Sequence, residues 1–522
     1  MPENRPRLLV AGLRGGSGKT TPTVGLAAVL RRRARGVAPF KKGPDYIDPS
    51  WLSLAAGRSC RNLDLFMMDA ATVRCAFERA TQDADLGVIE GAMGLYDGFD
   101  VEGTGSTARV ARILHAPIVL VVNCIRMTRS VAALVHGFCH FEPGVNIAGV
   151  ILNNVGRARH GKVMVEAIER YCDVPVLGCI PRSPDMELPQ RHLGLVPCGE
   201  MDGAALVVEK AHNIVEANLD LDGLLSVARG SDNPGDSSGG LHRRDAEFAE
   251  EDHGGKSVVA GFGLRGRVPD KQGGADVEDH AAHSDRFRRL KPAATHQTGA
   301  ATRQPDSVSP REARIGVLRD RVFSFYYPEN LEALAEAGAE LVLIDSLQAD
   351  RLPALDALYI GGGFPELFLD ELEANDDLRH DIAARINEGL PVYAECAGLM
   401  YLSQGIVSGG RRREMVGALP CEVEMSARPV GHGYAVVETV KANPLFAVGH
   451  VVRGHEFHHA RVVDASALDC AYRVRRGFGV DGQLDGIVYK NVFASFTHLH
   501  ALGTPEWAPA FVQCAKTASL LP

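Results

Sequence analysis

The chain has 522 residues, of which 45% are hydrophobic and 23% charged, and its formal net charge is −9. That length calls for more than one domain, and that composition belongs to a soluble globular protein. The acidic surplus argues against nucleic acid as the main partner.

No apolar run approaches the roughly 20 residues of a membrane-spanning helix. The N-terminal residues lack a signal-peptide core, so a cytoplasmic location with no membrane partner is expected. The eleven cysteines form no CxxC pair, a pattern of reduced thiols rather than of disulfides or a zinc site.

In chain order, the N-terminal part alternates apolar strands with helices. Strands are predicted at 7–12, 86–90, 118–123, 147–153 and 175–180, and helices at 20–33, 106–114 and 163–171. Near-continuously apolar strands separated by helices imply a parallel sheet covered on both faces, an α/β fold of the P-loop NTPase type. The basic run Arg31, Arg32, Arg33 and Arg35 reads as a solvated helix end at the negative pole of the dipole.

From residue 230 to 311 the composition turns to Gly, Ser, Asp, His and Arg. Such a segment buries too little apolar surface to offset its ordering entropy, so a mostly disordered linker is expected. The expected domains are therefore 1–229 and 312–522. The second repeats the α/β logic, with strands at 314–320, 341–344, 357–363 and 391–396 and a helix at 329–338. It becomes β-rich beyond Gly409 and ends on a strand, VFASFTHLH, at 492–500.

The first strand runs into Gly15, Gly16, Ser17, Gly18, Lys19, Thr20 and Thr21, and then into a helix. Glycines let backbone N–H groups turn towards phosphate oxygens, Lys19 reaches the terminal phosphates, and the Thr20 hydroxyl suits Mg²⁺. Leu13 stands where the strict motif has glycine. Gly12 instead gives a longer loop, which resembles that of dethiobiotin synthetase. Mg²⁺ takes hard oxygen ligands. Glu90 supplies one at the C-terminal end of its strand, and the loop from Lys41 to Pro49 adds Asp45 and Asp48.

In the second half, LPVYAECAGLMYL (390–402) reads as strand, sharp turn and helix, with Cys396 at the turn. A helix N-terminus there favours thiolate. The glycines of ALYIGGGFPEL (357–367) offer N–H groups to an oxyanion, and His498 is the expected base for the thiol, with His500 as the alternative.

These motifs extend to a family resemblance. PFKKGPDYIDPSWL (39–52), EGAMGLYDG (90–98), GSTARVA (105–111), GVILNNVGRARH (149–160) and RHLGLVP (191–197) resemble the ATP-binding half of the cobyrinate a,c-diamide synthase family. SFYYPENLEAL (324–334), AECAG and FASFTHLH follow in the order of its class I-like glutamine amidotransferase half.

The resemblance implies ATP- and glutamine-dependent amidation of tetrapyrrole carboxylates, with Cys396 as nucleophile and His498 as its base. Gly362 and Ala397 would serve the oxyanion. Thr20, Asp48 and Glu90 would hold Mg²⁺, while Lys41, Asp45, Asp48 and Glu90 activate the substrate. It also implies that Asn153 reads the adenine and that the tetrapyrrole lies near EGAMGLYDG. Asp64 and Asp97 are the reserve acids.

Two positions depart from the family pattern. Ala397 stands where glycine is usual, and His500 stands where ordinary class I enzymes have a glutamate, which leaves open what orients His498. His455, His458 and His459 read as structural or substrate-proximal, with no metal beyond Mg²⁺.

The expected partners are a tetrapyrrole polycarboxylate, L-glutamine and ATP. The acceptor, cobyrinate or another tetrapyrrole such as hydrogenobyrinate or a sirohydrochlorin derivative, stays open, as does the choice between monomer and homodimer. A nucleotide switch resembling partition ATPases, with a vestigial glutaminase, is the rival of a different class.

Overall fold

A computed structural model describes residues 5–33, 35–182, 190–191, 194–230 and 312–518. The expected linker lies outside the described residues apart from Gly230, which ends the helix Leu221–Gly230.

The N-terminal part builds a sheet from β1 (Arg7–Gly12), β2 (Val37–Lys42), β3 (Arg61–Leu63), β4 (Leu86–Glu90), β5 (Ile118–Asn123), β6 (Ile147–Val155) and β7 (Val176–Pro181). Their order is β3-β2-β4-β1-β5-β6-β7, and every pairing is parallel. β2 and β4 are buried along their whole length and β1 along all but Arg7, as expected for strands covered on both faces. The short pair β8 (Gln190–Arg191) and β9 (Gly194–Leu195) follows.

The C-terminal part contributes β10 (Ala313–Leu318), β11 (Ala339–Ile344), β12 (Ala357–Ile360), β13 (Val392–Glu395), β14 (Gly405–Ser408), β15 (Arg411–Glu414), β16 (Glu422–Met425), β17 (Gly431–Thr439), β18 (Val451–His458), β19 (Ala460–Val463), β20 (Cys470–Arg476), β21 (Leu484–Tyr489) and β22 (Val492–Ser495). Nine of them form one sheet in the order β11-β10-β12-β13-β22-β21-β20-β17-β18, and four form a second in the order β15-β14-β16-β19.

The final strand is shorter than predicted, ending at Ser495 rather than at His500. The reason is Asp485, fully buried on the neighbouring strand. Its carboxylate accepts from the Phe496 and Thr497 N–H groups at 3.0 and 3.1 Å, and from the Ser495 and Thr497 hydroxyls at 2.7 and 2.8 Å. Donors that would continue the ladder are thereby diverted, so the chain leaves β22 after Ser495 and meets the sheet again at His498 through an antiparallel bridge to His455.

Residues 61–79 join the N-terminal part to the C-terminal part. Arg61 pairs with Glu332 at 2.5 Å and Glu329 at 3.5 Å, and Arg79 pairs with Glu336, all three acids lying on the helix Pro328–Glu336. Asp64, fully buried, accepts from the Phe66 and Met67 N–H groups and from the Tyr434 hydroxyl at 2.6 Å. The Tyr434 ring stacks on Phe66 with centroids 4.3 Å apart.

Tyr434→Phe keeps that stack and removes the hydroxyl, leaving one Asp64 oxygen buried without a donor, which costs about 1–3 kcal/mol. Urea unfolding should show a lower midpoint with an unchanged slope. An unchanged midpoint would mean that the two backbone donors alone satisfy Asp64.

Candidate active sites

The phosphate loop spans Gly12 to Thr20, where β1 hands over to the helix Thr20–Arg32. A Cβ at Gly12 would lie 2.9 Å from the Ser17 Cβ and 3.1 Å from the Lys19 Cδ. Glycine is therefore required at the head of this longer loop. Gly18 has φ +74°, and a Cβ there would lie 2.4 Å from the Asn153 Nδ2. Lys19 donates to the Met93 carbonyl at 2.7 Å, and burial, followed by neighbouring Lys41, pulls its pKa below the usual lysine value.

Beside this loop the C-terminal ends of β2 and β4 bring together a charge cluster in which Lys41 and Glu90 are buried and Asp45 and Asp48 half-buried. The Lys41 ammonium lies 2.5 Å from Asp48, 3.0 Å from Glu90 and 3.7 Å from Asp45. Burial alone would lower the Lys41 pKa, but the acids, Asp48 and Glu90 foremost, raise it well above the ordinary range. Burial raises Glu90 against the pull of Lys41. In Asp48, Lys41 outweighs the upward push of burial and holds the carboxyl below its usual value. Asp45 is pushed up to about 7, by burial first and then by Asp48.

The Thr20 hydroxyl donates to Glu90 Oε1 at 2.8 Å, while Glu90 Oε2 is buried without a hydrogen-bond partner. A hydroxyl and a vacant carboxylate oxygen facing a phosphate loop are the hard donors that Mg²⁺ requires, so these residues fit the ion.

The second site forms where β12, β13 and β22 end side by side. Cys396 sits after β13 with φ +48°, a conformation rare for a non-glycine residue. Its N–H donates to the Ser495 carbonyl at 2.8 Å, and the Gly398 N–H to the Gly361 carbonyl at 3.1 Å. The His498 ring lies against Gly362, where an added Cβ would meet its Cε1 at 2.4 Å.

Asn330 braces the His498 loop from both sides, donating to the Leu499 carbonyl at 3.0 Å and accepting from the Ala501 N–H at 2.8 Å. His455 stacks on His498 with centroids 4.9 Å apart and exchanges two backbone hydrogen bonds with it. Burial, then His498, drives the His455 pKa well below its usual value.

One loop touches both sites. Between Asp45 and Asp48, Tyr46 stacks on Phe325 with centroids 4.9 Å apart, and it lies 4.7 Å from Tyr327 and 5.5 Å from His498. The first site thus presents a glycine loop and acids, and the second a cysteine at positive φ and a buried histidine whose ring lies against Gly362.

Residues 8–196 match the family described as a CobQ/CobB/MinD/ParA nucleotide binding domain. Residues 314–506 match the CobB/CobQ-like glutamine amidotransferase domain. The chain is 43% identical over 510 residues to the cobyrinate a,c-diamide synthase of Magnetococcus marinus, covering 98% of this chain and 97% of the relative. It is 38% identical to that of Archaeoglobus fulgidus, covering 99% and 98%. The chain belongs to the cobyrinate a,c-diamide synthase family. It is therefore an enzyme, a ligase with a glutamine amidotransferase domain.

Within this family frame several expected site residues stand differently from the sequence reading. The Gly362 N–H, expected to face an oxyanion, donates to the Phe325 carbonyl at 3.3 Å. The Ala397 N–H points to the Cys396 sulfur. The helix after Cys396, Ala397–Leu402, has only six residues, and burial raises the thiol's pKa far above its ordinary value. That direction opposes the expected thiolate.

His500 faces Glu329 at 3.6 Å and accepts from the Leu502 N–H through Nδ1. Asp64 is committed to Tyr434 and to two backbone N–H groups, and Asp97 accepts from the Gly94 N–H. The three clustered histidines diverge: His455 meets the Tyr327 hydroxyl, His458 the Ala460 carbonyl and His459 the Ser426 carbonyl.

Asn153, expected to read adenine, donates to the Ser17 and Gly18 carbonyls, both at 3.3 Å. Its amide braces the phosphate loop from behind. The Asn153→Ala variant should raise the KM for ATP several-fold and leave the preference for ATP over GTP unchanged. A selective loss of ATP over GTP in steady-state kinetics would restore the base-reading role.

The sequence reading also passed over Glu395. It precedes Cys396 on β13, buried, with its Oε2 3.6 Å from His498 Nδ1. An acid inside an apolar strand, VYAEC, was the signal available.

Proposed function

We propose that the protein uses ATP and glutamine to convert the a and c side-chain carboxylates of cobyrinate to carboxamides. Residues 1–229 carry the amidation and residues 312–522 the glutaminase. The observation that carries this reading is the vacant, buried Glu90 oxygen beside Thr20, inside a cluster shared with Lys41 and Asp48. The relatives' names supply the substrate.

A carboxylate is a poor electrophile. Transfer of the ATP γ-phosphoryl group to its oxygen makes an acyl phosphate and ADP. Ammonia then attacks the acyl carbon, and phosphate leaves. Thr20, Glu90 and Asp48 would hold Mg²⁺, whose charge neutralises the phosphates during transfer. Lys19 serves the terminal phosphates, and Lys41 with Asp45 positions the acceptor carboxylate.

Ammonia comes from the second site. Because burial keeps the Cys396 sulfur protonated, its proton passes to His498 as sulfur attacks the glutamine amide carbon. The nitrogen leaves as ammonia, carrying that proton, and water then releases glutamate from the thioester. The Ala397 N–H, which points to the sulfur before reaction, would turn to the tetrahedral oxygen once the sulfur is acylated.

Loss of one such electrostatic contact commonly costs about a hundredfold or more in rate. Asp48→Asn and Glu90→Gln should each cut ammonium-supported amidation by that factor while glutamate release persists. Cys396→Ala should show the reverse pattern, with amidation lost from glutamine and kept from ammonium. Near-normal amidation by both acid variants would overturn the assignment, as would equal loss of both nitrogen sources in the cysteine variant.

A polycarboxylate macrocycle also needs cations for the carboxylates that do not react. Arg453 and Arg476 flank Val436 in one row across β18, β17 and β20. Their guanidinium carbons lie 5.9 and 5.3 Å from the Phe66 ring centroid, and Arg476 lies 5.9 Å from that of Phe99, at the end of the EGAMGLYDG loop. We assign this row to the macrocycle's outer carboxylates. Arg453→Gln and Arg476→Gln should each raise the tetrapyrrole KM about tenfold, the loss of one charge-assisted contact, and leave the KM for ATP and glutamine hydrolysis unaltered. An unchanged tetrapyrrole KM in both variants would remove the row from the binding surface.

A further inference from the structure

His498 enters the glutaminase reaction as a base, and a histidine is a competent base at one nitrogen only when the other carries the proton. The residue two after it is His500, which is turned to Glu329, so it does not fix that choice. The His498 Nδ1 atom is buried and has no hydrogen-bond partner. The polar atom facing it is Glu395 Oε2 at 3.6 Å.

The Glu395 carboxylate is itself held from three directions. Oε1 accepts from the Tyr393 hydroxyl at 2.9 Å and the Leu499 N–H at 3.1 Å. Oε2 accepts from the Tyr359 hydroxyl at 3.1 Å. Glu395 and His498 are 1% and 2% exposed, so water does not compete for either. Because Leu499 follows His498 directly, the carboxylate grips both the backbone and the ring of the same loop.

We propose that Glu395 is the positioning residue for His498. It accepts the Nδ1 proton, fixes the tautomer whose Nε2 lone pair faces the Gly362 side of the cleft, and stabilises the imidazolium that forms when Cys396 loses its proton. The carboxylate comes from the strand that carries the cysteine, not from the strand that precedes the histidine. A movement of about half an ångström would bring 3.6 Å within hydrogen-bond range, as occurs when catalytic contacts tighten around a substrate.

The inference rests on the glutaminase reading of Cys396 and His498. Wild-type enzyme must release glutamate from glutamine, and failure there would sink that reading rather than this one. In Glu395→Gln the remaining oxygen can keep Tyr393 and the Leu499 N–H while the amide NH₂ faces Nδ1, which drives the proton to Nε2 and leaves no base for the thiol.

Glutamine hydrolysis should fall at least about a hundredfold, a floor below the roughly ten-thousandfold cost of a wrong tautomer in an analogous triad. The KM for glutamine should stay within about threefold, and ammonium-supported amidation should be retained. ¹⁵N spectra of histidine-labelled protein should show one ring change from the Nδ1–H to the Nε2–H form. Glu395→Asp, which keeps the charge but withdraws it by one methylene, should lie between wild type and Glu395→Gln.

Hydrolysis within threefold of wild type in Glu395→Gln overturns the proposal, as does an unchanged tautomer. So does Glu395→Asp hydrolysing more slowly than Glu395→Gln. Loss of ammonium-supported amidation in parallel with hydrolysis would mean that Glu395 only holds the fold.

Discussion

The organisation of the first site depends on the burial of one ammonium group. Lys41 is the penultimate residue of β2, with its side chain 3% exposed, a position in which an uncompensated charge would be lost to neutralisation. It stays charged because Asp48, Glu90 and Asp45 surround it. That demand draws the end of β4 and the loop after β2 to one point. Burial, before the neighbouring acids, raises the Asp45 and Glu90 pKa values, while Lys41 pulls both down. The cation proposed beside Thr20 would add positive charge at that same point.

The loop drawn in by Lys41 also carries Tyr46. With both ends of the Asp45–Asp48 stretch tied to Lys41, the intervening aromatic ring is set against Phe325, Tyr327 and His498. The segment SFYYPEN has a matching role on the other side. Gly361 donates its N–H to the Tyr326 hydroxyl, Tyr327 meets His455, and Asn330 braces the loop of His498. A run of residues unremarkable in charge thus supports the glutaminase site.

Much of this was legible in sequence where a local rule applies. Apolar runs between helices foreshadowed five strands of the seven-stranded sheet, though not β2 or β3, while the glycines and Lys19 foreshadowed the phosphate loop and the preceding strand the cysteine turn. The shortfalls arise where long-range hydrogen bonds override local pattern. FASFTHLH has a strand's composition, yet Asp485, ten residues before Ser495, takes its donors and stops the ladder. The Gly362 and Asn153 groups looked free because their partners, Phe325 and the phosphate-loop carbonyls, are 37 and about 135 residues away along the chain. Glu395 escaped notice because a triad acid was sought after the histidine rather than before the cysteine.

The placement of Tyr46 has a consequence for inheritance. Its ring belongs to the nucleotide-binding half, and the pocket it fills belongs to the amidotransferase half. Asp64 and Tyr434 form a second joint of the same kind. Neither half can drift independently at these positions, since a change in one surface leaves a cavity or a stranded polar atom in the other. Recombination that joined a nucleotide-binding half from one lineage to an amidotransferase half from another would preserve both sets of motifs and still mismatch the seam. The two halves are therefore expected to travel through evolution as a single unit of selection.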